Sequence, residues 1–248
     1  MKREDLKKYE SDYSELPFED ILRGYRQQNI FNILAKHPHK KILEIGCGPQ
    51  PLFREYNNFE KMVVVEPGET FYLEAKSLAG ADERIVLIND FFEDAVDSLV
   101  PEIFDFIIIG GFLHEIKNPD EVLQAVKKVS SCNTIIHSFV PNAHSFHRLM
   151  AYEMGLIKDV YQKSGHDELF NRLKVYDINS FKKLFIKNGF SVATYGTYFV
   201  KPYTHSQMVE MLAANIIDEK VLDGLNKMSK HFPDNGAEIY INGINNVD

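Results

Sequence analysis

Glu44 stands two residues before Gly46, and Gly46 and Gly48 flank Cys47 in the run Lys41-Ile42-Leu43-Glu44-Ile45-Gly46-Cys47-Gly48-Pro49-Gln50. A carboxylate inside an apolar strand is costly unless it is paired or put to use. The two glycines let the backbone turn sharply and approach a ligand where a Cβ would collide. A Gly-rich loop after the first strand of an α/β sheet is where nucleotide-like ligands bind. A dinucleotide fingerprint needs a third glycine three residues after the second, and Pro51 stands there. That argues against a pyrophosphate ligand. A ligand with a positive sulfonium and an amino-acid head suits the acid of this loop better, because carboxylates partner cations and ammonium donors. A second set of chemistry-bearing side chains is histidine-rich: His114, His144, His147 and His205, with Tyr203 close to the last. Imidazole titrates near neutrality and can take or give a proton.

These residues need elements to position them. Apolar residues recur at helical spacing over residues 17–36, in one or two amphipathic helices. Strands are expected at Lys41–Ile45, Lys61–Glu66, Ile85–Ile88, Phe104–Gly110 and Thr134–Val140, with helices at Glu69–Ala79 and from Pro119. The Phe104–Gly110 run is continuously apolar and reads as a central strand. Residues 141–176 lose any clean period and read as an insertion, helical around His147–Met154. An amphipathic helix over Asp177–Lys187 stops at Gly189, a strand covers Ser191–Val200, helices fill 206–230, and a last strand covers Glu238–Asn242. The order β-α-β-α-β-β-α-β, followed by two late strands around a helix, predicts a doubly wound α/β fold with a mostly parallel sheet, the last strand being free to run antiparallel. A single domain over residues 1–248 is expected, with an N-terminal helical extension at 1–38 and the 141–176 insertion as elaborations.

Composition narrows the function. A net charge of −8 with no basic run argues against nucleic acid and against an anionic membrane surface. No apolar run reaches membrane-spanning length, and the charged N-terminus lacks a signal-peptide core. Two cysteines, Cys47 and Cys132, make neither a disulfide framework nor a metal site. A reducing, cytoplasmic setting and no metal are expected.

The loop Glu44-Ile45-Gly46-Cys47-Gly48-Pro49 resembles the first motif of class I S-adenosylmethionine-dependent methyltransferases. The resemblance continues in order: Glu66 at the end of the second strand, Asp90-Phe91-Phe92 after the third, Phe104–Ile108 as the fourth, and Leu113–Pro119 after it. It covers about residues 40–140 and implies a Rossmann-like, seven-stranded fold that binds S-adenosylmethionine and releases S-adenosylhomocysteine. By that resemblance Glu44, Gly46, Cys47, Gly48, Pro67 and Gly110 border the cofactor. Glu66 binds the ribose, while Asp90 takes the adenine amine and the apolar neighbour Phe91 covers the ring. Gln50 departs from the family, where many members carry a third glycine.

Within the family, Gly110-Gly111-Phe112-Leu113 lacks the Asn/Asp-Pro-Pro-Tyr of amino-group methyltransferases of nucleic acids and proteins, and Asp105 lies at the wrong end of its strand for a catechol-type metal site. The acidic loop of aminopropyl transferases is missing too. A small-molecule acceptor is expected, methylated at a hydroxyl, with nitrogen and carbon acceptors open. The alternatives are a non-catalytic cofactor-binding protein and an NAD(P)-dependent oxidoreductase. His114 is the first candidate base, weighed against a helix-start histidine bonded to backbone, and Glu115 is read as a first-turn acid facing the helix dipole. His144 is a second catalytic candidate. His147, Tyr203 and His205 are expected at the substrate, with Tyr152, Met154 and Tyr161 lining an apolar lid and Phe199 in the core. Tyr9, Tyr13, Arg23, Tyr25 and Arg26 are candidates for the cofactor's carboxylate, or else form a solvated helix face.

Overall fold

Four consecutive apolar residues, Phe106–Ile109, are buried on both faces, as a central parallel strand requires. In the computed structural model, which describes residues 6, 10, 17–163 and 173–246, they form the fourth of seven strands. The strands are β1 (Lys41–Ile45), β2 (Lys61–Val65), β3 (Ile85–Ile88), β4 (Phe106–Ile109), β5 (Ile135–Pro141), β6 (Phe190–Tyr198) and β7 (Glu238–Asn245). Their order is β3-β2-β1-β4-β5-β7-β6, parallel except for β7, which runs antiparallel to both β5 and β6. The order reverses between β1 and β4, and a crevice opens there at the carboxyl ends of the strands.

The helices are α1 (Pro17–Leu34), α2 (Glu69–Ala79), α3 (Phe92–Leu99), α4 (Pro119–Lys128), α5 (Phe146–Glu153), α6 (Ile178–Lys187), α7 (His205–Ala213) and α8 (Glu219–Lys227). The two-residue period of the strands divides the core between two faces. Leu43, Ile45, Val65, Ile107 and Ile109 pack with α3, α4 and α6, while Ile42, Val64, Phe106 and Ile108 pack with α1 and α2. A third cluster joins Phe18 and Leu22 of α1 to Phe199, Met208 and Leu222, which fastens α1 to α7 and α8. Phe199 is therefore a core residue, as expected.

Two elements differ from the sequence reading. The helix expected between β1 and β2 is only a 3₁₀ turn, Leu52–Arg54, opened by Pro51. The direct β3-to-β4 connection instead contains α3, whose Phe92, Ala95, Val96 and Leu99 recur at helical spacing and are buried. Its eight residues follow the Asn89-Asp90 turn so closely that they read as a loop. β7 also runs three residues further than expected, because Asn242 and its neighbours pair on both sides.

A buried polar chain fixes the antiparallel register. Asn242 lies opposite His137 and opposite Thr194. Its Oδ1 accepts from His137 Nδ1 at 2.7 Å and its Nδ2 donates to Thr194 Oγ1 at 2.7 Å, while the Tyr198 hydroxyl donates to His137 Nε2 at 2.9 Å. Burial pushes the His137 pKa down to about 4, so the imidazole stays neutral inside the sheet.

The crevice depends on close backbone approach at the ends of β1 and β4. The Gly110 N–H donates to Ile45 O at 2.8 Å, and a Cβ on Gly110 would lie 2.1 Å from Gly46 O. Gly110→Ala is expected to destabilise the protein by about 1–3 kcal/mol, the usual cost of overpacking, seen as a lower urea midpoint at unchanged slope.

Candidate active site

A cavity of about 930 Å³ occupies the crevice. Its size suits a nucleotide-sized molecule together with a second small one. The C-terminal ends of β1, β2 and β4 form its floor, α1 crosses it, and the segments after β5 and β6 close its far end.

Glu44, Gly46, Cys47, Gly48, Glu66, Pro67, Phe91 and Gly110 all line this cavity. Glu44 is 4% exposed, and both its oxygens lie within reach of the Leu52 N–H, at 3.1 and 3.3 Å. It thereby holds the loop after β1 closed, a partner the sequence did not suggest. The Glu66 carboxylate accepts from Gly48 N–H at 3.0 Å and from Gly68 N–H at 2.8 Å, tying the β1 and β2 loops together. Gly46 and Gly48 have φ of +75° and +57°, which L side chains rarely adopt. A Cβ at Gly48 would meet no protein atom within 4 Å, so the space beside it is open. Glu10, from the N-terminal segment, is buried over the start of α2, where it accepts from the Thr70 N–H and hydroxyl at 2.9 and 3.0 Å. No sequence signal singled Glu10 out.

Burial drives the chemistry of these acids. It pushes the Glu44 pKa up to about 8, against the pull of the Leu52 amide and with the Glu66 charge adding to the rise. Burial likewise raises Glu66, opposed by the two glycine amides. A cation in the cavity would reverse both shifts.

Asp90 does not line the cavity. Its Oδ1 accepts from the Phe91 N–H at 2.9 Å, at the start of α3. The α3 that the sequence reading missed turns Phe91, Phe92, Glu93 and Asp94 to the wall instead.

On the far side stand Gly111, Phe112, His114 and Glu115. His114 is 3% exposed, and its Nε2 lies 3.3 Å from Glu115 Oε1. Glu115 is itself buried and precedes α4 by several residues, so it is a wall carboxylate and not a first-turn acid. The His114 carbonyl accepts from the Leu173 and Lys174 N–H groups at 2.9 and 3.0 Å, pinning the returning end of the insertion over the site.

The other histidines separate. His147, in the first turn of α5, lines the cavity, as does His205 at the start of α7. His144 does not. It precedes the Ser145 N-cap, so it shares no helical face with His147, and its Nε2 meets Tyr161 Oη at 3.3 Å outside the cavity. Tyr203 is exposed and off the wall, and Tyr152, Met154 and Tyr161 are exposed as well. The wall here is polar, with Arg148 and Lys201 both facing the cavity.

Arg23 and Arg26 are buried cavity residues and not a solvated face. Arg26 bonds Glu238 at 2.6 and 2.8 Å and Glu19 at 2.8 Å, and lies over the Phe139 ring. The Arg26 pairing overrides burial and holds Glu19 down at about 2. Tyr25 bonds Asp223 at 2.8 Å, away from the cavity, and Tyr9 and Tyr13 lie outside the described residues.

Among the described residues no cluster of three or more His, Cys, Asp or Glu side chains is arranged to hold a metal ion, and no helix is long and apolar enough to cross a membrane. The raised Glu44 sets a testable slope. A carboxyl whose folded pKa exceeds its unfolded value binds more protons when folded, so stability falls as pH rises from about 4.5 to about 8. Glu44→Gln should therefore raise the melting temperature at about pH 8 and leave it nearly unchanged at about pH 5, in thermal unfolding followed by circular dichroism.

No protein-family model and no curated protein matches the chain. Solved structures do. The plantazolicin methyltransferase BamL, in complex with a triazolic desmethylPZN analog and SAH, aligns over 99% of this chain and 96% of its own, at 16% identity and a TM-score of 0.63. A SAM-dependent methyltransferase from Thermotoga maritima covers 96% and 98% of the two chains at 14% identity and a TM-score of 0.58. Another, from Archaeoglobus fulgidus, covers 92% and 99% at 14% identity and a TM-score of 0.54. At these identities the likeness is one of fold. That fold is the Rossmann-like, seven-stranded architecture of the class I S-adenosylmethionine-dependent methyltransferases.

Proposed function

We propose that this protein transfers a methyl group from S-adenosylmethionine to a small-molecule acceptor, at a hydroxyl oxygen. The observation that carries the reading is one continuous cavity with the Glu44/Glu66 glycine cradle at one end and the buried His114–Glu115 pair beyond it. The cradle fits such a cofactor, with backbone opened by two left-handed glycines and acids that a positive sulfonium and ammonium would draw toward ionisation. It suits pyrophosphate poorly, since no α-helix N-terminus follows β1 to receive one.

S-adenosylmethionine, when bound, supplies a methyl carbon on an activated sulfonium. The chain has to align a nucleophile, exclude water and manage one proton. In this reading Glu66 retains lone pairs for ribose hydroxyls beyond its two amide bonds. Pro67 borders the same sugar, Phe91 covers the adenine, and Arg23 receives the cofactor's carboxylate. His114 accepts the acceptor's hydroxyl proton at a ring nitrogen, and the neighbouring Glu115 carboxylate stabilises the imidazolium. The described residues of the insertion, 141–163 and 173–176, act as the lid.

Calorimetric titration with S-adenosylhomocysteine tests the cofactor half, and an absence of binding overturns it. S-adenosylhomocysteine formation across a panel of hydroxylated metabolites then identifies an acceptor. With it, His114→Gln should lower kcat by roughly 10²–10⁴-fold at unchanged S-adenosylhomocysteine affinity. Unchanged turnover removes His114 from the chemistry.

A further inference from the structure

We propose that the acceptor carries, besides the hydroxyl it presents to His114, an uncharged group that both gives and takes hydrogen bonds, a carboxamide or a second hydroxyl, docked by Ser145 and His147 where the chain after β5 enters α5. Calling the ligand an acceptor rests on the methyl-transfer reading, whereas the docking site stands on its own observations.

Ser145 is the N-cap of α5 and lines the cavity, 1% exposed. Serine favours that position because its oxygen ordinarily accepts from an amide of the first turn. Here the side chain makes no such bond. Backbone carbonyls serve those amides instead. The Phe146 N–H donates to Asn235 O at 2.9 Å, and the Arg148 and Leu149 N–H groups donate to Ser145 O at 2.9 and 3.0 Å. The hydroxyl is spared, and its Oγ is buried with no hydrogen-bond partner among the described residues. His147, two residues on and on the same cavity wall, has its Nδ1 in the same condition. Each such atom is costly to bury unless a ligand meets it. Presenting them to a ligand needs only a χ1 step of Ser145 and a χ2 turn of His147, both between allowed side-chain wells.

The backbone leading to Ser145 is anchored. Asn142 Nδ2 donates to the Asp234 and Gly236 carbonyls, each at 2.9 Å, and Asn235 Nδ2 donates to His144 O at 2.9 Å. The charged side chains of this wall are already engaged. Arg26 bonds Glu19 and Glu238, Arg148 bonds the Val160 and Gln162 carbonyls, and Lys201 and His205 have partners too. The groups left to a ligand at the start of α5 are neutral. Burial, followed by the Lys201, His205 and Arg148 charges, drives the His147 pKa well below its usual range, so the ring stays uncharged, with one nitrogen giving and the other taking. A serine hydroxyl also gives and takes. Carboxamides and hydroxyls match both groups, whereas a hydrocarbon leaves both orphaned. A charged group would be desolvated there against cations and acids that already hold partners.

The test titrates benzamide, benzyl alcohol, benzoate and toluene into the protein by calorimetry, with and without saturating S-adenosylhomocysteine. Benzamide or benzyl alcohol should bind saturably and roughly tenfold tighter than toluene, as two neutral hydrogen bonds provide, with benzoate weaker than the better of the two. Which of the two binds distinguishes carboxamide from hydroxyl. Ser145→Ala and His147→Phe should each weaken that polar fragment by roughly three- to tenfold, the loss expected for one neutral hydrogen bond, at unchanged toluene and S-adenosylhomocysteine affinity. Ser145→Ala should meanwhile hold or raise the melting temperature, since an orphaned hydroxyl leaves and no cap is lost, whereas losing a capping serine would lower it. Failure of both polar fragments to bind, equal binding of toluene, tighter binding of benzoate, a lowered melting temperature of Ser145→Ala, or unchanged polar affinity in the folded variants overturns the proposal. Polar binding in a protein that does not bind S-adenosylhomocysteine keeps the docking site and loses the methyl-transfer reading.

Discussion

Gly46 O sits where a Cβ on Gly110 would have to go, and the whole crevice follows from that closeness. Only a glycine lets the β4 loop lie against the β1 loop, and only with the two in register does the backbone open toward solvent at the switch point. The Glu44 and Glu66 carboxylates then act as internal ties. One holds the Leu52 amide and the other spans Gly48 and Gly68. Two loops from two strands are fixed by two buried acids, and the same burial raises the pKa of both, a shift that a cation would oppose. Loop architecture and ligand preference are thus one property.

A second constraint works from the opposite wall. Arg26 joins Glu19 of its own helix to Glu238 at the start of β7 and covers Phe139 of β5. Breaking such a buried set by removing one partner costs far more than the set adds to stability over an apolar substitute, so its contribution is positional. It holds α1 across the mouth of the cavity. That brings Arg23 to the wall and, through Phe18 and Leu22, locks α1 to the helices that carry His205. The two ends of the cavity are therefore coupled through one helix.

Much of the sheet was legible because strand burial writes itself as apolar runs. β1, β2, β3 and β4 lie within a residue or two of their expected positions, and α2 and α4 start where expected. The reading lost α3 because an eight-residue helix directly after a turn offers too little period to register. The expected order of elements included a helix after β1, where the structure has only the 3₁₀ turn Leu52–Arg54. In the site, the loop motif located Glu44, Gly46, Gly48, Glu66 and Gly110 on one wall, since their relative placement follows from adjacent parallel strands. The histidines fared unevenly. His114, His147 and His205 reach the cavity, but His144 and Tyr203 turn away, because side-chain direction in an insertion depends on where its helix begins.

By itself the sequence determined the strands, the glycine loop and the acids that border it, because each is a local matter of burial period, φ angle and spacing. Tertiary structure alone decided what those acids bond, that Glu10, Arg23 and Lys201 share their cavity, and that Asp90 does not. These facts arise from contacts between residues tens or hundreds of positions apart, as Arg26 with Glu238 illustrates. No local pattern encodes such a distance, since only packing of the two sheet faces brings the partners together.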